Sequence, residues 1–405
     1  MSYQINTKEE LESFVTHNWN QINEFLDKQF ESLPIPLYSS VDIRESKNKI
    51  APVDNNMYPA GFNNICALDL DCASDTFKKF ITKDFPATKT VAIIPESHTK
   101  NTFYLDHLAY LKKALTDAGF TTFVASFDEE LFVEGNELNL ISASKFDLQI
   151  VKATVKDGHI YAGEDKIDYA VLNNDQSNPM NIEWKSITTP IHPSPYIGWF
   201  NRSKSGHFVA YREAAEIFCK EFNIDPSLIE ASFKLVDGID FSSKEGLEKV
   251  ATSVDEIKGS NEDMKVFIKG DQGTYGMGIS VVGSGEEVLN FNRKDRNKMD
   301  IGKNKIKFTS VIVQEGVETI IKYDNMPAEV TIYLIGGKSV GGFMRANTEK
   351  GTHDNLNARG MVFRRFCISE IRQNQDYQAK EALYSIIARV STLAGAIELK
   401  NKQGI

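Results

Sequence analysis

The residues best suited to chemistry are Lys269 and the glycines after it, in the run MKVFIKGDQGTYGMGISVV at 264–282. MKVFIK and ISVV have the composition of short strands, and between them stand Gly270, Gly273, Gly276 and Gly278. Glycines at this density let backbone N–H groups approach a polyanion with no Cβ in the way. Lys269 closes the first strand, where its ammonium can sit against phosphate oxygens as a compact point charge. Lys269, Gly273, Thr274, Tyr275, Gly276 and Gly278 are therefore expected to cover the phosphates of a nucleotide. Other glycine motifs do not fit. The Walker pattern G-x-x-x-x-G-K-[ST] is absent, and the dinucleotide pattern opens a helix where this one opens a strand. A kinase loop would require HRD and DFG partners downstream, and neither occurs.

Further along, TSVIVQEGV (309–317) reads as an apolar strand ending in Gln314, Glu315, Gly316 and Val317. Such an end offers backbone groups to an adenine edge and a carboxylate to a ribose. AEVTIYLIGGKSVGGFMRAN (328–347) reads as a hairpin turning at Gly336-Gly337 and leading to Arg345, a candidate phosphate clamp. GTHDNLNARG (351–360) then supplies Asp354, Asn355, Asn357 and Arg359. Oxygen ligands of this kind suit Mg²⁺, which keeps several waters and borrows phosphate oxygens.

Upstream elements must position a second substrate. TVAIIPES, then TFYLDHLAYLKKALTDAGF with its Gly119 stop, then TTFVASF, form a βαβ unit. Ligands favour the loops at the C-terminal strand ends of such units. Those loops hold Glu96, Ser97, His98, Thr99 and Asn101, and the strand DYAVLNND (168–175) adds a polar end containing Asn174. Arg202, Lys204 and His207 gather before the helical stretch AYREAAEIFCKEF (210–222), and a helix N-terminus favours anions. The segment 42–65, DIRESKNKIAPVDNNMYPAGFNNI, is rich in Asn, Pro and Gly and reads as a surface loop. It nevertheless concentrates Arg44, Lys49, Asp54, Asn56, Asn63 and Asn64.

The frame around these residues is a chain of 405 residues, long enough for two or three lobes sharing a cleft. A net charge of −10 and a pI of about 5.4 argue against a generic nucleic-acid footprint. The first residues lack the basic and apolar regions of a signal peptide, and no apolar run approaches the roughly 20 residues that span a bilayer. Four cysteines without zinc spacing read as buried thiols of a reduced, cytoplasmic protein. A homo-oligomer is compatible with this composition.

The serial order of loop, strand end, hairpin and Asn-rich turn resembles the ATP-grasp fold. LIGGKSVGGFMRAN followed by DNLNARG is similar to a run in bacterial glutathione synthetases. IKGDQGTYGMGI, VIVQEGV, GGFMRAN, DNLNARGM, PVDNNMYPAGFNN, IPESHTKN, LNND and NRSKSGHF together resemble a proteobacterial glutamate–cysteine ligase family, over roughly 42–365. The resemblance implies an α/β (α+β) chain: a helical and loop region at 1–87, a Rossmann-like domain at 88–200, and an ATP-grasp domain at 201–405 with its lid at 269–279. It implies ATP and Mg²⁺, with glutamate and cysteine as small-molecule substrates and γ-glutamylcysteine as product. Lys269, Arg345 and Asn355 would then be catalytic, and Gln314, Glu315 and Val317 would join the loop in holding ATP. Arg202 and Lys204 would take amino-acid carboxylates, with Asn63, Asn64 and His98 orienting the substrates. Glu96, Asn101, Asn174, His207, Asn357 and Arg359 complete that substrate set. Glutathione synthetases carry a late Glu-x-Asn metal pair, which AGAIELKNKQGI lacks. Glu315, Glu329, Asp354 and Asn355 are the metal candidates instead, with Glu329, Asp354 and Asn355 preferred. The alternatives are an ATP-grasp ligase joining another acid to another amine, and a non-catalytic nucleotide-binding protein.

Overall fold

The computed structural model describes residues 4–272, 278–300, 308–368 and 378–403. The chain opens with α1 (Lys8–His17) and α2 (Trp19–Phe30). Thr7 and Glu10 form a reciprocal capping box at the start of α1, satisfying two of its free backbone donors. Next come two strands, β1 (Tyr38–Glu45) and β2 (Ile50–Asn56). This replaces the surface loop expected from composition. The reason is alternation: Val41 and Ile43 enter the main core, while Asp42 and Arg44 on the opposite face are paired by buried charges. Hidden pairing makes a buried strand look like a solvated loop.

The Rossmann-like unit follows α3 (Ala67–Asp84). β3 (Thr90–Pro95), α4 (Thr102–Asp117) and β4 (Thr121–Ser126) form the expected βαβ, with parallel strands. Gly119 follows the helix at φ +97°, a conformation that favours glycine. β5 (Glu137–Ile141), β6 (Asp147–Lys156), β7 (His159–Ala162) and β8 (Asp165–Lys166) extend the sheet on one side. β9 (Tyr169–Asn173) and β10 (Ile191–His192) close the other, giving the order β10-β9-β3-β4-β6-β7-β8 with β5 beside β6.

After α5 (Lys204–Phe222), a small antiparallel sheet has the order β11-β14-β12-β13. Its strands are β11 (Phe233–Asp237), β12 (Val266–Gly270), β13 (Ile279–Val282) and β14 (Ser310–Glu315), backed by α6 (Lys244–Lys258). The glycine loop joins β12 to β13, with Lys269 opposite Ile279. Gly278 holds φ +63°, and a Cβ there would meet the Phe308 ring at 2.6 Å. At the root of the loop, glycine therefore serves packing as well as any ligand. Gly273, Thr274, Tyr275 and Gly276 lie outside the described residues.

The larger sheet of the C-terminal lobe uses β15 (Lys322–Tyr323), β16 (Met326–Ile335), β17 (Lys338–Asn347) and β18 (Met361–Arg365). Its order is β18-β17-β16-β1-β2, so the N-terminal hairpin completes it. β16 and β17 turn at Gly336-Gly337, as expected, both with positive φ. The helix Gln378–Gln403 runs beneath this sheet and against α5. Its Ala379–Lys402 span is long and apolar enough to cross a membrane, yet its apolar window is wholly buried in the core. A helix apolar on all sides belongs at the centre of a large domain. Cys66 and Cys367, 301 residues apart, are joined by a disulfide, which corrects the expectation of four thiols. Only the fold brings them together. Cys72 and Cys219 remain free.

Candidate active site

The candidate cleft is the junction of the small sheet and the larger one, where Lys269 on β12 reaches Val53 on β2. Lys269, at the end of β12, is buried, and its Nζ donates to Val53 O at 2.8 Å and Gln314 Oε1 at 2.7 Å. Both acceptors are neutral. Burial lowers the Lys269 pKa to about 7 despite the nearby Asp54 carboxylate. Gln314 Nε2 is a buried donor with no partner among the described residues. Its neighbour Glu315 takes Lys49 at 2.8 Å, and Gly316 N donates to Lys265 O at 2.9 Å, fixing the strand-to-linker bend before buried Val317.

Across the cleft, β1, β16 and β17 carry a buried charge network. Arg345 Nη1 donates to Glu329 Oε1 at 2.7 Å and to Asp42 Oδ2 at 2.9 Å. Arg44 Nε reaches Glu329 Oε2 at 2.8 Å, and its Nη2 donates to Asp354 O at 2.7 Å. Burial works to raise the Glu329 carboxyl, but the two arginines overcome it and hold it below its usual range. Asp42 moves the other way, raised by burial in spite of Arg345. Arg345 Nε, like Gln314 Nε2, is buried without a partner among the described residues. A buried donor left unpaired is costly, so two of them beside one cleft point to a missing acceptor.

The Asn-rich turn is shaped from beneath by Asn347, whose Nδ2 donates to Leu356 O, Ala358 O and Arg359 O. Asp354 Oδ2 accepts from Gly351 N, and Asn355 Oδ1 accepts from Asn357 N. Arg359 is exposed and Asn357 half-buried. Arg44 ties the backbone of this turn to the Glu329 side chain through a single guanidinium. Among the described residues, no trio drawn from Asp, Glu and His alone has ligand atoms within 4.8 Å of one another. Asp354 and Asn355 offer hard oxygens of the kind Mg²⁺ takes, one or two from the protein with water and phosphate completing the shell.

Lys204 and Asp54 link the two halves, with Nζ to Oδ1 at 2.8 Å. Burial would raise the Asp54 carboxyl, but Lys204 and Lys269 hold it down at about 2. The N-terminus of α5, expected to attract an anion, receives one from the protein itself. Asp271, two residues beyond Lys269, accepts from Ser205 N at 2.8 Å and Ser205 Oγ at 2.9 Å. The root of the glycine loop is thereby fastened to the helix that carries Lys204.

Arg202 and His207 stand in a different setting. Arg202 Nε and Nη2 donate to Glu398, and Nη1 and Nη2 donate to Asn55 O and Oδ1. His207 Nδ1 meets Glu398 Oε1 at 2.5 Å. All three are buried, and although burial favours the neutral acid, Arg202 and His207 hold Glu398 down to about 2. Both residues thus have protein partners, and the late Glu398 is accounted for by an arginine and a histidine.

The remaining candidates cluster where β3 and β9 end. Glu96 Oε1 accepts from Asp175 N at 2.8 Å, His98 Nε2 lies 3.8 Å from Glu96, and Asn174 Nδ2 donates to Pro95 O. Asn101 Oδ1 caps α4 by accepting from Phe103 N and Tyr104 N. Trp199 connects this cluster to the cleft, donating its backbone N–H to Asp175 O while its ring carries the Lys204 ammonium at 4.9 Å. Asn63 and Asn64 directly follow Phe62, whose ring packs on Tyr333 of the large sheet. Asp42, Asn347 and Asp271 around the cleft, and Glu398 in the separate Arg202–His207 cluster, are residues to which sequence reasoning assigned no role. The period-2 run Val41-Asp42-Ile43-Arg44 was the one signal that could have found the first of them.

A small antiparallel sheet carrying Lys269 and Gln314, set against a second sheet bearing Arg345 and Glu329, is the two-lobed arrangement of an ATP-grasp carboxylate–amine ligase. The family model described as glutamate-cysteine ligase matches residues 12–399. A crystal structure from Methylobacillus flagellatus, described provisionally as a gamma-glutamylcysteine synthetase, is 31% identical with a TM-score of 0.87, covering 96% of each chain. Two more distant structures are also similar. D-alanyl-alanine synthetase A from Vibrio cholerae is 13% identical with a TM-score of 0.38, over 75% of this chain and 80% of that one. A glutathione synthetase-like effector from Globodera pallida is 9% identical with a TM-score of 0.42, over 88% and 84%. No curated protein matches. The chain belongs to the glutamate–cysteine ligase family. It is an ADP-forming ligase that joins glutamate to cysteine in the first step of glutathione biosynthesis.

Proposed function

We propose that Lys269, Arg345 and Gln314 form the phosphate and nucleotide side of this cleft, and that Lys204, Asp54 and the β3–β9 cluster form its amino-acid side. The observation that carries the assignment is a pair of orphaned buried donors, Gln314 Nε2 beside a lysine held only by neutral acceptors and Arg345 Nε in the charge network around Glu329. A bound nucleotide supplies the missing acceptors. In the reaction, an oxygen of the glutamate γ-carboxylate attacks the γ-phosphorus of ATP and ADP leaves, giving an acyl phosphate. The cysteine nitrogen then attacks the acyl carbon, phosphate departs, and the amine proton is lost to solvent. No protein nucleophile is needed. The chain contributes alignment and charge neutralisation at the phosphate by Lys269 and Arg345.

Mg²⁺ would be held by Asp354 and Asn355 with Glu329 behind them, and its chemistry is to neutralise phosphate charge. Lys204, set by Trp199 and Asp54, presents a cation to a substrate carboxylate, while Arg202 and His207 hold Lys204 in place through Glu398 and Asn55. Asn63, Asn64 and His98 supply orienting donors. Such an ATP-consuming ligase works in the cytoplasm on small molecules. The test is ADP release with mass detection of product across amino-acid pairs. Turnover with glutamate plus cysteine that falls at least a hundredfold in Lys269→Ala supports the assignment, and near-normal turnover in that variant overturns it.

A further inference from the structure

Away from the cleft, a cavity of about 1250 Å³ opens where α3, the β9–β10 edge of the Rossmann-like sheet and the helix Gln378–Gln403 meet. None of the cleft residues described above lines it. Its floor is aromatic: Tyr169 stacks on His192 at 5.3 Å, with Phe85 edge-on to Tyr169 at 5.5 Å. Trp184, Ile187 and Ile335 add apolar wall. Two polar atoms at this floor, Tyr169 Oη and His192 Nδ1, are buried and have no partner among the described residues. Tyr169 is fully buried. A hydroxyl in that position forfeits its bonds to water and gains nothing in return, a cost native proteins rarely carry without use.

The rim is cationic in a chain whose net charge is −10. Lys79, Lys83 and Lys185 line it, are exposed, and have no acidic partner among the described residues. Lys79 and Lys83 stand four apart on α3, where like charges repel along one helix face. Lys338, 3.9 Å from Asp27, and Lys402, which donates to Asn201 O, line the cavity too, as do Glu31 and Asp84, the latter acting electrostatically on Tyr169 and His192. Free lysines above, a flat apolar floor, and an unpaired hydroxyl within it are complementary to one kind of molecule. We propose that this cavity is a second binding site, for a small organic anion with a planar apolar body, such as an aromatic carboxylate or sulfonate. Three parts of the fold wall it, so an occupant joins them and stabilises their packing.

The test uses the full chain with ATP present to fill the cleft, and anilinonaphthalene sulfonate as the probe. The expected result is saturable fluorescence at one probe per chain, unaffected by ATP. Lys79→Glu with Lys83→Glu, both on an exposed helix face, should weaken binding at least tenfold and leave ligase turnover unchanged. Tyr169→Phe removes the orphaned hydroxyl. It should raise the Tm of the free protein while shrinking the Tm gain from the probe. Non-saturable binding, displacement of the probe by ATP, or an unchanged titration in the lysine-reversed variant would each overturn the site. So would a Tyr169→Phe variant with a lower free Tm and an unchanged probe response.

Discussion

Two buried charge clusters, built from the same residue types, meet within one chain and differ in how completely they are satisfied. Around Glu398, Arg202 uses four N–H···O bonds and His207 closes on the same carboxylate. Around Lys269 and Arg345, the lysine has only neutral acceptors, and Gln314 Nε2 and Arg345 Nε have none. A satisfied network holds architecture, because every charge already has its counterpart. An under-satisfied one keeps donors free for an acceptor, which is the ground for proposing a ligand there, and other contacts that fix the surrounding sheets offset its cost. Residue type alone therefore says little about role; the completeness of its partners says more.

That contrast can be broken by substitution. Glu398→Ala leaves Arg202 buried and uncompensated and should cost roughly 3–5 kcal/mol of stability, read as a lowered denaturant midpoint. Lys269→Ala should do the opposite, cutting kcat/KM about 10²–10³-fold with little loss of Tm, since it removes a desolvated charge. If Glu398→Ala lost activity at unchanged stability, or Lys269→Ala unfolded the protein, the assignment of the two clusters would be reversed. Asn355→Ala should raise the Mg²⁺ concentration needed for half-maximal rate by about tenfold, a ligand-shell effect. An unchanged Mg²⁺ requirement would remove Asn355 from the metal set.

The two clusters also differ in the sign of their pH response. Lys269 lies near 7 in the free protein against an ordinary 10.5, so a bound phosphate should raise it again. ATP binding at pH 8 should then take up close to one proton, about 0.9, and weaken as pH rises further. Calorimetry in buffers of different ionisation enthalpy measures this, and Lys269→Ala should abolish it. Glu398 lies near 2 against an ordinary 4.5, so its contribution to stability is complete above 4.5 and lost as pH falls toward 2. Glu398→Gln should flatten stability across that acid window and leave proton uptake by ATP unaltered. These are the smallest of the expected effects and the most specific.

Much of the fold is legible in the sequence where local pattern and final environment agree. The βαβ unit at 90–126, the strand before Gln314 and the turn at Gly336-Gly337 each carry their own periodicity or turn chemistry. The hairpin β1–β2 does not, because its charged residues are buried only after β16 supplies their partners. Arg202 and His207 mislead for the same reason. Next to a helix start they look like an anion site, while the carboxylate that claims them stands about two hundred positions away, at Glu398.

The sequence by itself determined the strand–glycine-loop–strand pattern around Lys269, on which the proposed phosphate site rests, since glycine freedom and a strand-terminal lysine act over a few residues. It also carried the motifs that place the chain among the glutamate–cysteine ligases. Only the tertiary structure decided which cations remain available. Charges 16 to 303 positions apart, such as Glu329 and Asp42 around Arg345, neutralise one another through space. Coulomb attraction and desolvation depend on distance and burial, and a linear chain specifies neither until it has folded.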